Sequence, residues 1–426
     1  MSEPIDNSRA MIAVEDERDR YHRQSLITWW DQQRLRDASV LVVGAGALGN
    51  ELVKNLVLMG IGRILLVDMD DVENSNLARC VFFGPEDEGR PKAQILARRA
   101  SEQNPDTEII PLVGDVRLTV GLGVFAEVDL VLGGLDNREA RLFVNQACWK
   151  TGTPWIDGAI EGLMGVVRVF VPPDSACYEC TLGERDRELM AARRTCAMLT
   201  REEMLGGRTP TTATTSSVVA GMQAQEAVKL LHSERLGPPV LVGAGFQFVG
   251  LTHDSYIVRY TRREDCLSHD TYEPDRVVTL PHDAPFGELL ALARAELGED
   301  AILELEHEIV VAGNCRQCGH EQAIRRPLEA LNAGMGLCPE CANPWLLQFA
   351  HTIDDNSPLL TASYGDLGLP PADYVVGRSE LERRFFALTG PGSAIELVRM
   401  QAGAMGGGPK VTGGQLGVTG GRAEAT

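Results

Sequence analysis

The chain has 426 residues, with 60 Asp and Glu against 40 Lys and Arg and a formal charge of −20. A surface this acidic repels phosphate polymers and anionic bilayers, and no apolar run reaches the roughly 18 residues of a membrane span, so nucleic-acid and membrane partners are excluded. Met1 to Arg20 is polar and acidic with no apolar signal region, so a soluble, cytoplasmic protein is expected, long enough for one nucleotide-binding domain and a smaller module.

Residues 1–20 read as a charged lead-in and 21–271 as a first domain. Val40 to Val43 is a short apolar run, as in a strand buried on both faces of a parallel sheet. Leu48, Leu52, Leu56 and Met59 then fall on one face of a helix closed by Gly60 and Gly62. Strands are predicted at Arg63 to Val67, Thr107 to Val113, Asp129 to Leu132 and Gly165 to Val171, with helices at Lys92 to Ser101, Asn137 to Lys150 and Thr214 to Leu231. Alternation of this kind predicts an α/β fold: a Rossmann-like, doubly wound, mostly parallel sheet. Residues 272–388, with a helix at Phe286 to Leu297 and a strand at Leu303 to Val311, read as a small second domain; 389–426 read as a Gly-rich tail expected to be disordered.

Gly44, Gly46 and Gly49 form G-x-G-x-x-G between a strand and a helix, where missing side chains let a phosphate approach the backbone and the helix N-terminus. Asp68 ends the next strand, in position to accept hydrogen bonds from ribose hydroxyls. Thus far an NAD-dependent dehydrogenase fits equally well.

Three further segments are more specific: Asp68 to Arg79 (DMDDVENSNLAR), Gly89 to Lys92 (GRPK) and Leu135 to Arg141 (LDNREAR). Together with the glycine turn they resemble the ATP site of the ubiquitin-activating enzyme superfamily, which includes the ThiF-type adenylyltransferases of sulfur-carrier proteins. The resemblance runs from Arg20 to about His269 and implies that 21–271 is an adenylation domain using ATP and magnesium. It implies Arg79 and Lys92 as phosphate-facing cations, Asn76 as positioning the triphosphate, and Asp136 as holding magnesium. Arg23 resembles an arginine supplied across a dimer interface, which implies a homodimer. Blander readings stand beside these: Arg79 and Lys92 as solvated charges, Asp136 as a helix N-cap, Asp70 and Arg141 as partners within the fold. One departure is Cys80, where many relatives carry Gln.

Of ten cysteines, six lie in Cys-x-x-Cys pairs, a zinc pattern in a long chain without a secretion signal. Cys315, Cys318, Cys338 and Cys341, with nineteen residues between the pairs, are a zinc-ribbon signature from spacing alone. Cys177 and Cys180 have the same spacing, and the family resemblance implies that Cys266 and His269 complete a second site. Both ions would be structural, since four protein ligands leave no open position.

Cys148 lies in an apolar helical stretch and reads as core, whereas Cys196 follows Arg193 and Arg194, which favour a thiolate. The resemblance implies Cys196 as acceptor of an activated carrier. The leading expectation is therefore ATP-dependent adenylation of the C-terminal glycine of a ubiquitin-like protein, then thioester transfer to Cys196, with a conjugating enzyme as a possible later partner. The alternative enzyme is an adenylyltransferase for a sulfur-carrier protein in cofactor or thionucleoside synthesis. From other classes, a non-catalytic partner-binding scaffold and a nicotinamide oxidoreductase rank lower, since the cation and magnesium-binding set is intact.

Overall fold

A computed structural model describes residues 19–184, 210–233, 238–273, 277–331, 333–390 and 392–405. Two short helices, α1 (His22–Ser25) and α2 (Gln32–Asp37), precede β1 (Ser39–Val43), α3 (Ala47–Met59), β2 (Arg63–Asp68), α4 (Lys92–Gln103) and β3 (Glu108–Val113). There follow α5 (Val116–Thr119), α6 (Leu122–Glu127), β4 (Leu130–Gly133), α7 (Arg138–Thr151), β5 (Trp155–Glu161), β6 (Met164–Phe170), α8 (Ala213–Leu231), β7 (Ala244–Val249) and β8 (Asp254–Arg259). The eight strands form one sheet in the order β3-β2-β1-β4-β5-β6-β7-β8. The first five run parallel and the last three are added antiparallel.

The reason for this arrangement is visible in the strands. All five residues of β1 are buried, as a central parallel strand covered on both faces requires. Helix α3 ends at Gly60, whose φ of 79° lets its N–H reach the carbonyls of Leu56 and Val57; a side chain there would also strike the Tyr21 ring. Helix α8 lies against α3, β5 and β6, closing one face of the sheet.

The second sheet joins β9 (Val277–Thr279), β10 (Ile302–Asn314), β11 (Glu321–Pro327), β12 (Leu346–Ile353), β13 (Tyr374–Arg378) and β14 (Arg383–Ala387), with α9 (Phe286–Leu297) packed upon it and a short α10 (Tyr364–Leu367) nearby. Its core is formed by Phe286, Leu290, Leu303, Ile353, Val375 and Phe386. It docks on the first sheet's helices: Gly123 N–H donates to Ala372 O (2.8 Å), Leu122 N–H to Asp373 Oδ1 (2.9 Å), and Tyr272 stacks on Phe385. Among the described residues no helix is long and apolar enough to cross a membrane.

The expected disorder from residue 389 needs correction. Helix α11 (Ala394–Met405) begins there, and Ala394, Ile395, Leu397 and Val398 are buried in the core that contains α6. Glu127 holds its start, accepting from Ala394 N (2.6 Å) and Ile395 N (3.1 Å). Burying each of the three larger side chains contributes roughly 1.5–3 kcal/mol before ordering entropy is subtracted.

A buried polar cluster sits where the two domains meet. His307 on β10 is 4% exposed, with Nδ1 3.8 Å from Glu329 Oε2 and Nε2 3.8 Å from Asp373 Oδ2. Burial pushes the imidazole pKa down, but Glu329, Asp373 and Glu306 outweigh it, and the pKa lies above its ordinary value. Burial raises Asp373 to about 6, against the pull of His307. Glu329 is half-buried, which raises its pKa, yet His307 and Arg117 bring it below the ordinary carboxylate value. A raised imidazole pKa stabilises the fold fully below about pH 6.5, and this contribution is lost as pH rises through the folded value. Asp373 acts in the same direction at lower pH; Glu329 acts oppositely, its contribution fading in acid. Thermal unfolding between pH 6.5 and 8 should therefore show stability falling with pH, by up to about 1.4 kcal/mol per pH unit for one proton. His307→Gln should flatten that slope; an unchanged slope in the variant would remove His307 from the account.

Candidate nucleotide site

The site is built where β1 lies between β2 and β4, the point at which the strand order reverses and a crevice opens beyond the carboxyl ends of the strands. Gly44 leaves β1 at φ 102°, and a β-carbon there would lie 2.6 Å from Gly134 O. A β-carbon on Gly49 would lie 1.8 Å from Gly44 O, so helix and turn meet only because both residues are glycine. Gly46 is the N-cap of α3 and offers no side-chain cap, which leaves the helix's first N–H groups to an anion.

Asp68 ends β2 beside this turn. Its Oδ2 accepts from Ala45 N (2.6 Å) and its Oδ1 from Asp70 N (2.8 Å). Burial raises its pKa and Lys92 opposes the rise. Lys92, the first residue of α4, is buried and places Nζ 2.9 Å from Asp70 Oδ2. Burial disfavours its charge, but Asp68 and Asp70 more than compensate, and the ammonium pKa is raised. The cation is thus held in charged form at the rim of the turn, and Asp70 finds its partner within the fold.

Asn76 is buried, with Oδ1 accepting from Glu73 N (2.9 Å) and its carbonyl accepting from Arg79 N and Cys80 N (both 3.0 Å). It therefore shapes the loop that carries Arg79, whose Nη1 donates to Ser75 O (2.6 Å). Cys80 is buried beneath Arg79 and Lys92; burial pushes its thiol up to about 11, which makes it a packing residue. Cys148 is fully buried, its thiol likewise held well above the ordinary value, in agreement with the core reading.

The loop after β4 completes the crevice, with Gly134 N–H donating to Val43 O (2.9 Å). The helix N-cap is Asn137, which accepts from Ala140 N (2.7 Å), so the capping role passes to it and Asp136 stays exposed at the loop's tip. Arg141 turns inward to Asp157, the structural alternative considered for it.

Around the glycine turn the structure brings together Gly44, Gly46, Gly49, Asp68 and Lys92, with Gly134, two residues before Asp136, against Gly44, and with the segment after Arg79 tied to the turn through Asn50 and Phe82. It does not bring Arg23 there. Arg23 is exposed on α1, next to Gln24, which donates to Met59 O (3.1 Å) at the far end of α3. Thirteen residues of helix, about 20 Å, separate that end from the glycine turn. Cys196 lies outside the described residues.

Sequence reasoning missed the polar residues that brace the crevice. Asn50, wholly buried, donates to Ala45 O (2.8 Å) and Gly46 O (3.2 Å) and accepts from Phe82 N (3.0 Å), tying the turn to the segment bearing Arg79. Gln223 on α8 donates to Gly133 O (2.9 Å). Each shares its helix with a second amide, Asn55 and Gln225, so the sequence alone does not single them out.

Two cysteine sets converge away from the crevice. Cys177, Cys180, Cys266 and His269 bring one ligand atom each within 4.8 Å of one another, as do Cys315, Cys318, Cys338 and Cys341. Cys177 Sγ is 3.7 Å from Cys180 Sγ and 3.6 Å from Cys266 Sγ, and Cys180 Sγ is 3.5 Å from His269 Nε2. In the ribbon Cys315 Sγ lies 3.4 Å from Cys341 Sγ and Cys318 Sγ 3.6 Å from Cys338 Sγ. Zinc–sulfur bonds of about 2.3 Å give tetrahedral edges of about 3.8 Å, while a disulfide needs about 2.05 Å. Both donor sets therefore fit a tetrahedral zinc ion, Cys₃His and Cys₄.

A family model described as "ThiF family" matches residues 20–268. A sulfur carrier protein adenylyltransferase of Thermus thermophilus is 41% identical over 39% of this chain and 65% of its own length. Ubiquitin-like modifier-activating enzyme 5 of Dictyostelium discoideum is 33% identical over 47% of this chain and 54% of its own. This chain thus spans between half and two thirds of the length of these relatives. Among solved structures, Escherichia coli MccB with ATP is 21% identical with a TM-score of 0.49, over 60% of this chain and 75% of that one.

Proposed function

The chain belongs to the ThiF family, and from that premise we propose that it adenylates the C-terminal glycine carboxylate of a small ubiquitin-like protein. What supports this reading is the glycine turn at the carboxyl ends of β1, β2 and β4, with Asp68 and the charged Lys92 beside it and Gly134, at the base of the loop that carries Asp136, against Gly44. The carrier carboxylate attacks the α-phosphorus of ATP, the bond to the β-phosphate oxygen breaks, and acyl-adenylate and pyrophosphate result. Charge builds on the transferring phosphoryl group and on the leaving pyrophosphate. Lys92, held charged by Asp68 and Asp70, and Arg79 meet that charge, while α3's uncapped N-terminus receives a phosphate. Asp136, exposed on the loop after β4, would hold magnesium, which would supply charge neutralisation at the phosphates. Asp68 would bind ribose through the oxygens that now brace Ala45 and Asp70.

In a second step the Cys196 thiolate attacks the acyl carbon and displaces AMP, leaving a thioester. Arg23, about 20 Å from its own turn, would serve the site of a second subunit, so a homodimer is part of the reading. The alternative, adenylation of a sulfur carrier, is favoured by the 41% identity to the Thermus thermophilus relative.

Incubation with carriers ending in Gly-Gly should produce carrier-dependent pyrophosphate–ATP exchange; its absence with every ubiquitin-like and sulfur carrier tried would end the proposal. Cys196→Ala should keep exchange and lose a thiol-sensitive carrier adduct. An adduct that survives in Cys196→Ala moves the acceptor elsewhere.

A further inference from the structure

The exposed loop bearing Asp136 is anchored from its buried side by a chain of ionic contacts that the adenylation chemistry does not itself use. Arg141, 8% exposed, donates through Nη2 to Leu135 O and to Gly158 O (3.3 Å), and through Nε to Asp157 Oδ1 (2.9 Å). Asp157 is wholly buried, and its other oxygen receives Arg168 Nε (3.0 Å) and Nη2 (2.5 Å). Arg168 in turn lies 5.1 Å over the Tyr178 ring, between Cys177 and Cys180, and Tyr178 N–H donates to Asn145 Oδ1 (2.8 Å) on α7.

We propose that Arg141, clamped by Asp157 and Arg168, is a positioning residue that aims the Asp136 carboxylate at the nucleotide's metal ion; this rests on the reading of Asp136 given above. Leu135 O belongs to the peptide unit that also contains the Asp136 nitrogen, and that unit is planar, so fixing the carbonyl fixes the direction in which Asp136 leaves the loop. Gln223 does the same for the Gly133 carbonyl two residues earlier. The planar guanidinium reaches one carboxylate and two carbonyls at once, which a lysine ammonium on a single flexible stem does not. Two guanidiniums on one buried carboxylate also leave the trio with one net positive charge. Burying such an excess is costly, and the carbonyls of Leu135 and Gly158 together with the nearby Asp136 charge offset it. Positioning groups behind a ligand are worth as much as this arrangement suggests, since their loss commonly lowers metal affinity about 10- to 100-fold.

The test is Mn²⁺·ATP binding to the full zinc-loaded chain, followed by electron paramagnetic resonance of the manganese, which needs no carrier protein. Arg141→Lys and Asp157→Asn should each weaken Mn²⁺·ATP binding about 10- to 100-fold, while binding of ATP without added metal changes far less. Asp136→Asn should weaken it similarly, and the double variant Asp136→Asn with Arg141→Lys should be no weaker than Asp136→Asn alone, because the two act through one ligand. Wild-type affinity in Arg141→Lys, or losses that add in the double variant, overturns the positioning role and leaves the Asp136 reading standing. Wild-type affinity in Asp136→Asn overturns that reading and the proposal with it. Should Arg141→Lys not fold, Arg168→Lys, which leaves Arg141 in place and loosens only its partner, should show a smaller loss in the same assay, and none would count against the clamp.

Discussion

Arg79→Ala and Asp136→Ala should each lower carrier-dependent pyrophosphate–ATP exchange by about 10²–10³-fold, the scale for removing one charge-stabilising contact from a transition state. The geometry makes these clean substitutions. The half-exposed Arg79 side chain donates to Ser75 O, and Asp136 is exposed with its helix capped by Asn137. Surface changes of this kind usually shift stability by less than about 0.5 kcal/mol, so thermal unfolding should hardly move while exchange collapses. Lys92→Ala is a poorer probe, because it strips a buried ammonium from Asp68 and Asp70 and mixes catalytic loss with strain. The two clean variants should also differ from each other. Raising magnesium should recover part of the exchange in Asp136→Ala and none in Arg79→Ala. Exchange at the wild-type level in either variant contradicts the role assigned to that residue.

The sequence disclosed some of the parts of the fold whose pattern is set by full burial, though β5, buried over residues 155–158, was not among the strands expected. β1, with every residue buried, and α3, with its apolar face and glycine stop, lie within a residue or two of where periodicity placed them. It concealed strands whose side chains face water on both sides: β8 is exposed at all but one position and β11 at five of seven, so no alternation marks them. Helix α11 was hidden differently. Its apolar positions have helical spacing, but the glycine-rich composition of residues 389–426 masked a twelve-residue segment whose order comes from docking on α6 and Glu127. The site shows the same division. Glycines, cations and acids at fixed spacing could be named from the chain, whereas Asn50, Asp157, Arg168 and Gln223 act through contacts between residues 11 to 90 apart, for which a single sequence has no spacing rule.

The two cysteine sets differ in what would depend on a bound zinc ion, and this sets the second large effect. Cys177 is wholly buried within the core that contains Val144, Trp149, Trp155 and Phe170, and His269 stacks on Trp149 at 5.3 Å. The ribbon has only a small cluster of its own, formed by Cys315, Cys338 and Trp345 with Ile324 and Leu347. Metal analysis should find about two zinc per chain, as two four-ligand sites require. Cys177→Ser should release one of them and destabilise the first domain as a whole. Structural zinc contributes several kcal/mol, and at about 2–4 °C per kcal/mol a loss of roughly 5 kcal/mol lowers its melting temperature by about 10 °C or more. Cys318→Ser should also release one zinc but leave the main unfolding transition in place, because Cys318 is exposed and its cluster packs chiefly on itself. A Cys177→Ser protein that retains both ions, or that melts like the wild type after losing one, removes the first centre from the structural account. Should Cys318→Ser instead unfold both sheets together, the ribbon is a brace for the whole chain and its independence is wrong.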